Sequence, residues 1–282
     1  MIPFTAAFVE REYNNRAACP DHPHWFAEYA RRSALAYAGL DVRRDLRYGP
    51  GERETLDLFL PRGPARGTFV FLHGGYWRAL DKADFGFVAG PFVAAGIAVA
   101  NVNYDLCPAV GIKAIVEACA RALAWVSREG ERHGAAASPM VVGGHSAGGH
   151  LAAMMACTDW AAHGCAAPPF HAAVSVSGVH DLTPLPLFSF NADLRLDEES
   201  ARAVSPVLLP VNVVAPLLIA AGGAETGEFL RQARLIWEAW PMHRPAGAEA
   251  PLFVPGRHHF SIVADFADPG SELTRASLAL FD

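Results

Sequence analysis

The stretch MVVGGHSAGGH at residues 140–150 decides the fold of this chain, because it places Ser146 between two glycines directly after an apolar strand. A G-x-S-x-G sequence lets the chain reverse sharply from strand to helix, since the flanking glycines have no side chain that would clash. The turn holds the serine hydroxyl clear of the sheet, at the positive end of the following helix, where a base and a carbonyl carbon can reach it. Residues 144–148 therefore predict a nucleophile elbow with Ser146 as the nucleophile.

Short apolar strands and longer helical segments alternate on both sides of this turn. Residues 42–48 and 55–60 predict an antiparallel hairpin at one edge of a sheet. We then predict strands at 69–72, 97–102, 140–142, 172–176, 217–220 and 251–254, and helices at 81–95, 113–130, 147–159, 228–240 and 273–281. This alternation is typical of the α/β class. We expect a mostly parallel central sheet with helices on both faces and a small N-terminal arm.

The chain has the size and composition of one folded domain. It contains 282 residues, of which 52% are hydrophobic and 18% are charged, so it can bury a large core. We predict a single domain over residues 1–282, with an N-terminal arm at 1–41 and an insertion at 182–214. Long insertions are often binding loops, so we expect this one to border the site. The arm either packs over the same edge or is an ordinary amphipathic cover for the sheet.

Charge and cysteine content narrow the class of partner. The net charge is −6 with a pI near 6.0, and the scattered Lys and Arg residues form no basic stripe, which argues against nucleic acid and anionic membranes. The five cysteines show no CxxC pair, which fits reduced thiols in a cytosolic protein. No apolar stretch reaches about 18 residues, the length that a membrane-spanning helix needs. We expect a cytoplasmic protein that acts on a small-molecule acyl substrate, without a nucleic-acid or membrane partner, and leave a homodimer open.

A serine nucleophile needs a base, and one pair of histidines follows the last predicted strand. An imidazole activates the hydroxyl by accepting its proton, and a carboxylate orients the imidazole. Of the twelve histidines, only His258 and His259 lie just beyond that strand, where the chemistry of open α/β sheets collects. We predict His259 as the base, with His258 as the alternative. His145 and His150 flank the elbow, and we expect them to form supporting hydrogen bonds.

The acid is predicted from chain order, since the α/β-hydrolase fold places it between the serine and the histidine. Glu225 lies at the carboxyl end of the strand that begins at Leu217, and glutamate is an accepted acid in this fold. Glu228 competes on spacing, although a glutamate in the first turn of a helix is stabilised by the helix dipole without any catalytic role. Asp181, at the end of an earlier strand, is the second alternative.

A glycine pair after another buried strand predicts the oxyanion hole. Attack on a carbonyl creates an oxyanion, which preorganised N–H donors stabilise by about 2.7–4 kcal/mol per donor. Gly74 and Gly75 have no side chains, so their amides can turn inward, and the N–H of Ala147 after the nucleophile completes the hole. The alternative is that His73-Gly74-Gly75 forms only a tight turn.

Aromatic residues follow the glycine pair and recur in the insertion. Tyr76 and Trp77 come directly after Gly75, and Phe188 and Phe190 lie within residues 182–214. We predict Tyr76 and Trp77 as substrate-binding residues that form, with the two phenylalanines, an aromatic wall beside the leaving group. The alternative for Trp77 is packing in the core beneath the loop.

Nothing in the sequence indicates a metal or a cofactor. The chain has no HExxH motif, and adjacent histidines at 258 and 259 cannot easily direct both rings to one ion. We therefore predict a mechanism without metal or cofactor. A binding module on an inactive scaffold is disfavoured, because such scaffolds usually lose the serine or the histidine, and this chain has both.

These segments together resemble those of the kynurenine formamidases, or arylformamidases, and of the bacterial esterases similar to them. HGGYW at residues 73–77 is similar to the family's HGGxW oxyanion motif, and residues 144–149 resemble its elbow. Further similarity at residues 12–14, 205–206, 228–232 and 259–261 extends over nearly the whole chain and favours His259 as the base. One departure is that the family usually has an aspartate where this chain has Glu225.

The resemblance implies an α/β-hydrolase that cleaves aryl formamides, or small acyl esters, through an acyl-enzyme. HGGxW with GxSxG indicates hydrolase chemistry more strongly than formamidase activity, because one fold hosts many substrates. A general short-chain carboxylesterase is therefore the alternative function.

Overall fold

An eight-stranded sheet forms the centre of the structure, a computed structural model that describes residues 4–282. Its strands are β1 Asp41–Arg47, β2 Thr55–Leu60, β3 Thr68–Leu72, β4 Ala98–Val102, β5 Met140–His145, β6 Ala172–Val176, β7 Leu217–Gly222 and β8 Leu252–Val254. They lie in the order β1-β2-β4-β3-β5-β6-β7-β8. The pairs β1/β2 and β2/β4 are antiparallel and the other pairs are parallel, which confirms the predicted fold class.

Helices cover both faces of this sheet. They are α1 Ala6–Tyr13, α2 Asn15–Ala18, α3 His22–Gly39, α4 Ala89–Ala94, α5 Ile112–Glu129, α6 Ala147–Cys157, α7 Asn191–Leu194, α8 Glu198–Ala203, α9 Gly227–Ala239, α10 His259–Val263 and α11 Glu272–Leu278. No helix within residues 4–282 combines the length and the apolar character that a membrane span requires.

Side chains of β3 alternate between two cores, one on each face of the sheet. Phe69 and Phe71 pack into one core, where Phe69 stacks on Phe92 of α4 with ring centroids 4.3 Å apart. Val70 and Leu72 pack into the other. Successive residues of a strand point to opposite faces, so an all-apolar strand is buried on both sides. β3 and its neighbour β5 therefore lie in the middle of the sheet, where they hold the two loops that carry HGG and the elbow.

The segment predicted as one helix over residues 81–95 divides into two pieces. Lys82–Val88 is a 3₁₀ helix capped by Asp81, and α4 follows directly. Gly86 and Pro91 lie inside the predicted helix and weaken a continuous α-helix, since glycine is flexible and proline lacks the N–H donor.

The N-terminal arm forms three helices that pack against the edge of the sheet bearing the elbow. Tyr13 of α1 is buried and its hydroxyl donates to Glu228 of α9 over 2.6 Å. Tyr29 of α3 is also buried, and its hydroxyl donates to the carbonyl of Phe260 in α10. The arm is therefore tied to α9 and α10, the helices that begin next to Glu225 and at His259.

Candidate active site

Ser146 occupies a tight turn between β5 and α6. Its backbone angles are φ 58° and ψ −118°, a strained conformation for a residue with a side chain. A Cβ atom on Gly148 would lie 1.9 Å from the carbonyl oxygen of Leu72, and one on Gly144 would lie 2.4 Å from the backbone of Gly148. Only glycine permits this close approach between the turn and the end of β3. The turn therefore presents the serine at the carboxyl edge of the sheet.

Ser146, His259 and Glu225 form one chain of hydrogen bonds. His259 Nε2 lies 3.0 Å from Ser146 Oγ, and His259 Nδ1 lies 2.8 Å from Glu225 Oε2. All three residues are buried. Because the Glu225 carboxylate accepts a hydrogen bond from the Nδ1–H of His259, the Nε2 lone pair faces the serine hydroxyl. This is the arrangement that activates a serine.

The second oxygen of Glu225 is held by groups that sequence reasoning missed. Glu225 Oε1 accepts from the hydroxyl of Ser177 over 2.5 Å and from the N–H of Gly222 over 2.7 Å. Ser177 follows β6 with φ 52°, so a strained turn also aims this hydroxyl. The only sequence signal for Ser177 is its place after a buried strand. These two donors fix the longer glutamate side chain so that its other oxygen meets the imidazole.

The two alternative acids have partners elsewhere. Asp181 Oδ1 accepts from both the N–H and the hydroxyl of Thr183, at 3.0 and 2.6 Å. Glu228 accepts from Tyr13 and forms an ion pair with Arg231 over 2.6 Å. Both carboxylates thus stabilise local structure and neither contacts the imidazole of His259.

The other candidate histidines lie around the hydrogen-bonded chain without joining it. His258 Nε2 lies 3.1 Å from Asp21 of the N-terminal arm. His145 Nε2 donates to the carbonyl oxygen of His259 over 2.8 Å. Burial, with a smaller contribution from the neighbouring imidazole, holds the pKa of His145 well below its usual value. A neutral His145 therefore anchors the backbone of His259.

The predicted oxyanion donors lie beside the serine. A Cβ atom on Gly74 would lie 3.3 Å from the Cβ atom of Ser146. Gly75 has φ 115°, and a Cβ atom there would lie only 2.1 Å from the carbonyl oxygen of Ala79. The amides of Gly74 and Gly75 have no acceptor within the part of the chain that the structure describes. Ala147 is the first residue of α6, so its N–H has no partner inside that helix.

Of the two residues predicted to bind substrate, Tyr76 lines the cavity at the site and Trp77 does not. Trp77 is 1% exposed, and its Nε1–H donates to His150 Nδ1 over 3.2 Å behind the elbow. The prediction for Trp77 is therefore wrong, because a buried indole needs an acceptor and finds it in the core. Phe188 is also buried, whereas Phe190 of the same insertion reaches the cavity.

A cavity opens onto Ser146 and His259, and the empty space in it, including the open solvent at its mouth, is about 560 Å³. Its apolar lining consists mainly of aromatic rings: Phe26, Tyr29, Tyr76, Phe85, Phe190 and Phe260. The N-terminal arm contributes Asn14, Asn15 and Arg16 to the same cavity. Sequence reasoning did not assign these three residues to the site, because the similarity at residues 12–14 includes Asn14 without giving it a role and no motif marks the other two.

Comparison with known proteins identifies the family of this chain. The family model BD-FAE matches residues 56–187. A kynurenine formamidase of Salmo salar is 32% identical over 241 residues, which are 83% of this chain and 80% of that protein. The chain belongs to the kynurenine formamidase family. Another kynurenine formamidase, from Danio rerio, is 31% identical over 84% of this chain and 80% of its own length.

One solved structure is also similar to this chain over nearly its whole length. A Silicibacter protein whose thioesterase assignment is provisional is 34% identical, with a TM-score of 0.84 over 95% of this chain and 97% of its own. The predicted resemblance to the kynurenine formamidases is thus confirmed, and the protein is an enzyme of the α/β-hydrolase serine hydrolase type.

Proposed function

We propose that this protein hydrolyses aryl formamides or small acyl esters through a covalent acyl-enzyme on Ser146. The observation that carries this proposal is the hydrogen-bonded chain from Ser146 through His259 to Glu225, at a cavity lined by aromatic rings. In the first step His259 Nε2 takes the hydroxyl proton as Ser146 Oγ attacks the carbonyl carbon. The Glu225 carboxylate holds the tautomer and stabilises the imidazolium.

The same groups complete the reaction. As the tetrahedral intermediate collapses, the imidazolium of His259 gives its proton to the leaving amine or alcohol. Water then attacks the acyl-enzyme with His259 as the base, which releases the acid and restores Ser146. The proposed oxyanion donors in both steps are the N–H groups of Gly74, Gly75 and Ala147.

Two observations support an aryl substrate. The relatives from Salmo salar and Danio rerio are kynurenine formamidases, and six aromatic side chains line the cavity of this chain. Aromatic rings pack against one another in offset or edge-to-face geometry, which contributes about 0.5–1.5 kcal/mol per pair beyond the burial of area.

General short-chain carboxylesterase activity is the second candidate. The HGG and GxSxG motifs indicate acyl hydrolysis without restricting the acyl group to formyl. The two candidates predict different ratios of activity toward an aryl formamide and a simple ester.

The deciding experiment measures kcat/KM for N-formylkynurenine and for 4-nitrophenyl acetate on the same preparation. Turnover of the formamide, abolished in Ser146→Ala, supports the proposal; turnover of the ester alone selects the carboxylesterase. A fluorophosphonate should label Ser146 in the wild type and leave Ser146→Ala unlabelled. Equal labelling of both would reject Ser146 as the nucleophile.

A further inference from the structure

One wall of the cavity contains a buried amide without a partner. Asn15 of α2 is 3% exposed, lines the cavity, and its Nδ2 has no acceptor among residues 4–282. In the adjacent Asn14, by contrast, Nδ2 donates to Glu10 over 2.8 Å and Oδ1 accepts from the N–H of Ala17 over 3.1 Å. An unpaired buried donor is unfavourable. A ligand that brings an acceptor to Asn15 would remove this deficit.

The same cavity is cationic, although the whole chain is acidic. The net charge is −6, yet Arg16 and Arg78 line the cavity, and no Asp or Glu of the described residues does. Arg78 forms an ion pair with Asp193, which neutralises it. Arg16 has no carboxylate within ion-pair distance in residues 4–282, and its guanidinium carbon lies 5.6 Å from the ring centre of Phe26. Arg16 is therefore the cation that remains available to a ligand.

We propose that Asn15 and Arg16 form a subsite for a carboxylate carried by the substrate; this inference rests on the proposed function. A guanidinium binds a carboxylate through two parallel N–H donors, and the Asn15 amide adds another N–H. The substrate class is then an acyl ester or formamide whose aryl part bears a carboxylate. A neutral substrate leaves Asn15 unpaired and gains nothing from Arg16.

The carboxylate belongs to the leaving group. In the proposed reaction the acyl group is formyl or a short chain, which has no atoms to extend from the oxyanion loop to α2. The aryl leaving group fills the aromatic part of the cavity, where Phe26 and Tyr29 lie on α3, the helix that follows α2. A carboxylate on that ring lies next to the residues of the N-terminal arm.

The test compares matched esters that differ only in this charge. We would measure kcat/KM for 3-acetoxybenzoate and 4-acetoxybenzoate, each against its own methyl ester. The wild type is expected to favour at least one free acid, and Arg16→Gln to lower that preference about tenfold, with the loss of kcat/KM falling mainly on the free acid and much less on its methyl ester. Asn15→Ala should lower the preference in the same direction, and 0.5 M NaCl should weaken it because salt screens an exposed charge.

Arg62→Gln is the matched control, because Arg62 is an exposed arginine in the loop before β3. This loop lies at the amino end of β3, whereas the active site lies at the carboxyl ends of the parallel strands. It should leave both rates and their ratio unchanged. Ratios in Arg16→Gln within twofold of the wild type for both acids would overturn the subsite while the proposed function stands. If the wild type hydrolyses neither N-formylkynurenine nor any of the four esters, the proposed function is overturned instead.

Discussion

Two sets of residues at the active site differ in whether their polar side chains are hydrogen-bonded. At the catalytic rim, defined as Ser146, His259, Glu225 and Ser177, each side chain is hydrogen-bonded to the next. At the α2 wall, defined as Asn15 and Arg16, the buried amide is unpaired and the cation has no carboxylate partner. Groups that perform chemistry work best when they are already oriented, since no reorganisation is then needed during the reaction. Groups that recognise a ligand keep their hydrogen-bonding capacity for it.

Removing a reacting group of the rim should have the largest effect. Ser146→Ala or His259→Ala should lower kcat/KM for the best substrate by about 10⁴–10⁶-fold, because the nucleophile and its base act as a unit. Thermal unfolding of both variants should remain close to that of the wild type. Retention of more than a tenth of the wild-type rate by His259→Ala would mean that another group is the base.

Changing the acid should have the next largest effect. Glu225→Gln should lower kcat by about 10³–10⁴-fold, because a neutral amide does not stabilise the imidazolium. Glu225→Asp should lower kcat by a smaller factor, about 10–100-fold. This loss arises because the shorter side chain cannot reach His259 while it stays bound to Ser177 and Gly222. Asp181→Asn is the matched control and should keep the wild-type rate. A larger loss in Asp181→Asn than in Glu225→Gln would reassign the acid.

Removing the support of the acid should have a smaller effect. Ser177→Ala should lower kcat about tenfold and leave KM unchanged, since Ser177 positions Glu225 and does not reach the substrate. In the Glu225→Gln background the same substitution should change kcat by less than threefold, because the carboxylate whose position Ser177 fixes is already absent. Additive losses in the double variant would show that Ser177 acts independently of Glu225.

Buried histidines near the elbow should also make stability depend on pH. Burial lowers the pKa of His73 and of His150 to about 4. In the unfolded chain both take up protons near pH 6.5, whereas in the folded protein they stay neutral until about pH 4. Stability should therefore be complete above pH 6.5 and fall as the pH is lowered toward 4, by up to about 3 kcal/mol for each histidine.

Urea unfolding at several pH values between 7.5 and 4.5 tests this expectation. His150→Gln should reduce the loss of stability on acidification, because Gln does not titrate. His24→Gln is the control, since His24 is exposed, and it should leave the slope unchanged. A pH slope identical in wild type and His150→Gln would contradict the assignment. The α2 wall has no histidine, so these variants should leave the preference for a carboxylate intact.

Local patterns were sufficient for the parts of the site that depend on backbone geometry. The elbow at Ser146 and the turn at Gly75 each require glycine for a close approach or a positive φ, and such requirements are visible in a few adjacent residues. The alternation of strands and helices was equally readable. It placed Glu225 and His259 after strands whose carboxyl ends meet at the rim.

Contacts between distant segments could not be read in this way. Trp77 follows the glycine pair, as a substrate-binding residue would, yet its side chain donates a hydrogen bond to His150 in the core. Ser177 carries no motif, and its role depends on a carboxylate 48 positions later in the chain. The α2 wall lies in the N-terminal arm, whose position over the cavity depends on contacts such as that between Tyr13 and Glu228.

The amino-acid sequence by itself determined the α/β class, the nucleophile elbow, the glycine pair and the short set of histidines and acids from which the site is built. These features depend on backbone conformation and on hydrophobic periodicity, which act over a few residues. The tertiary structure alone decided which carboxylate meets His259, which hydroxyl holds that carboxylate, and which polar groups of the cavity remain unpaired. Those outcomes depend on distances between side chains far apart in the chain, and packing sets such distances only after the sheet and its helices have come together.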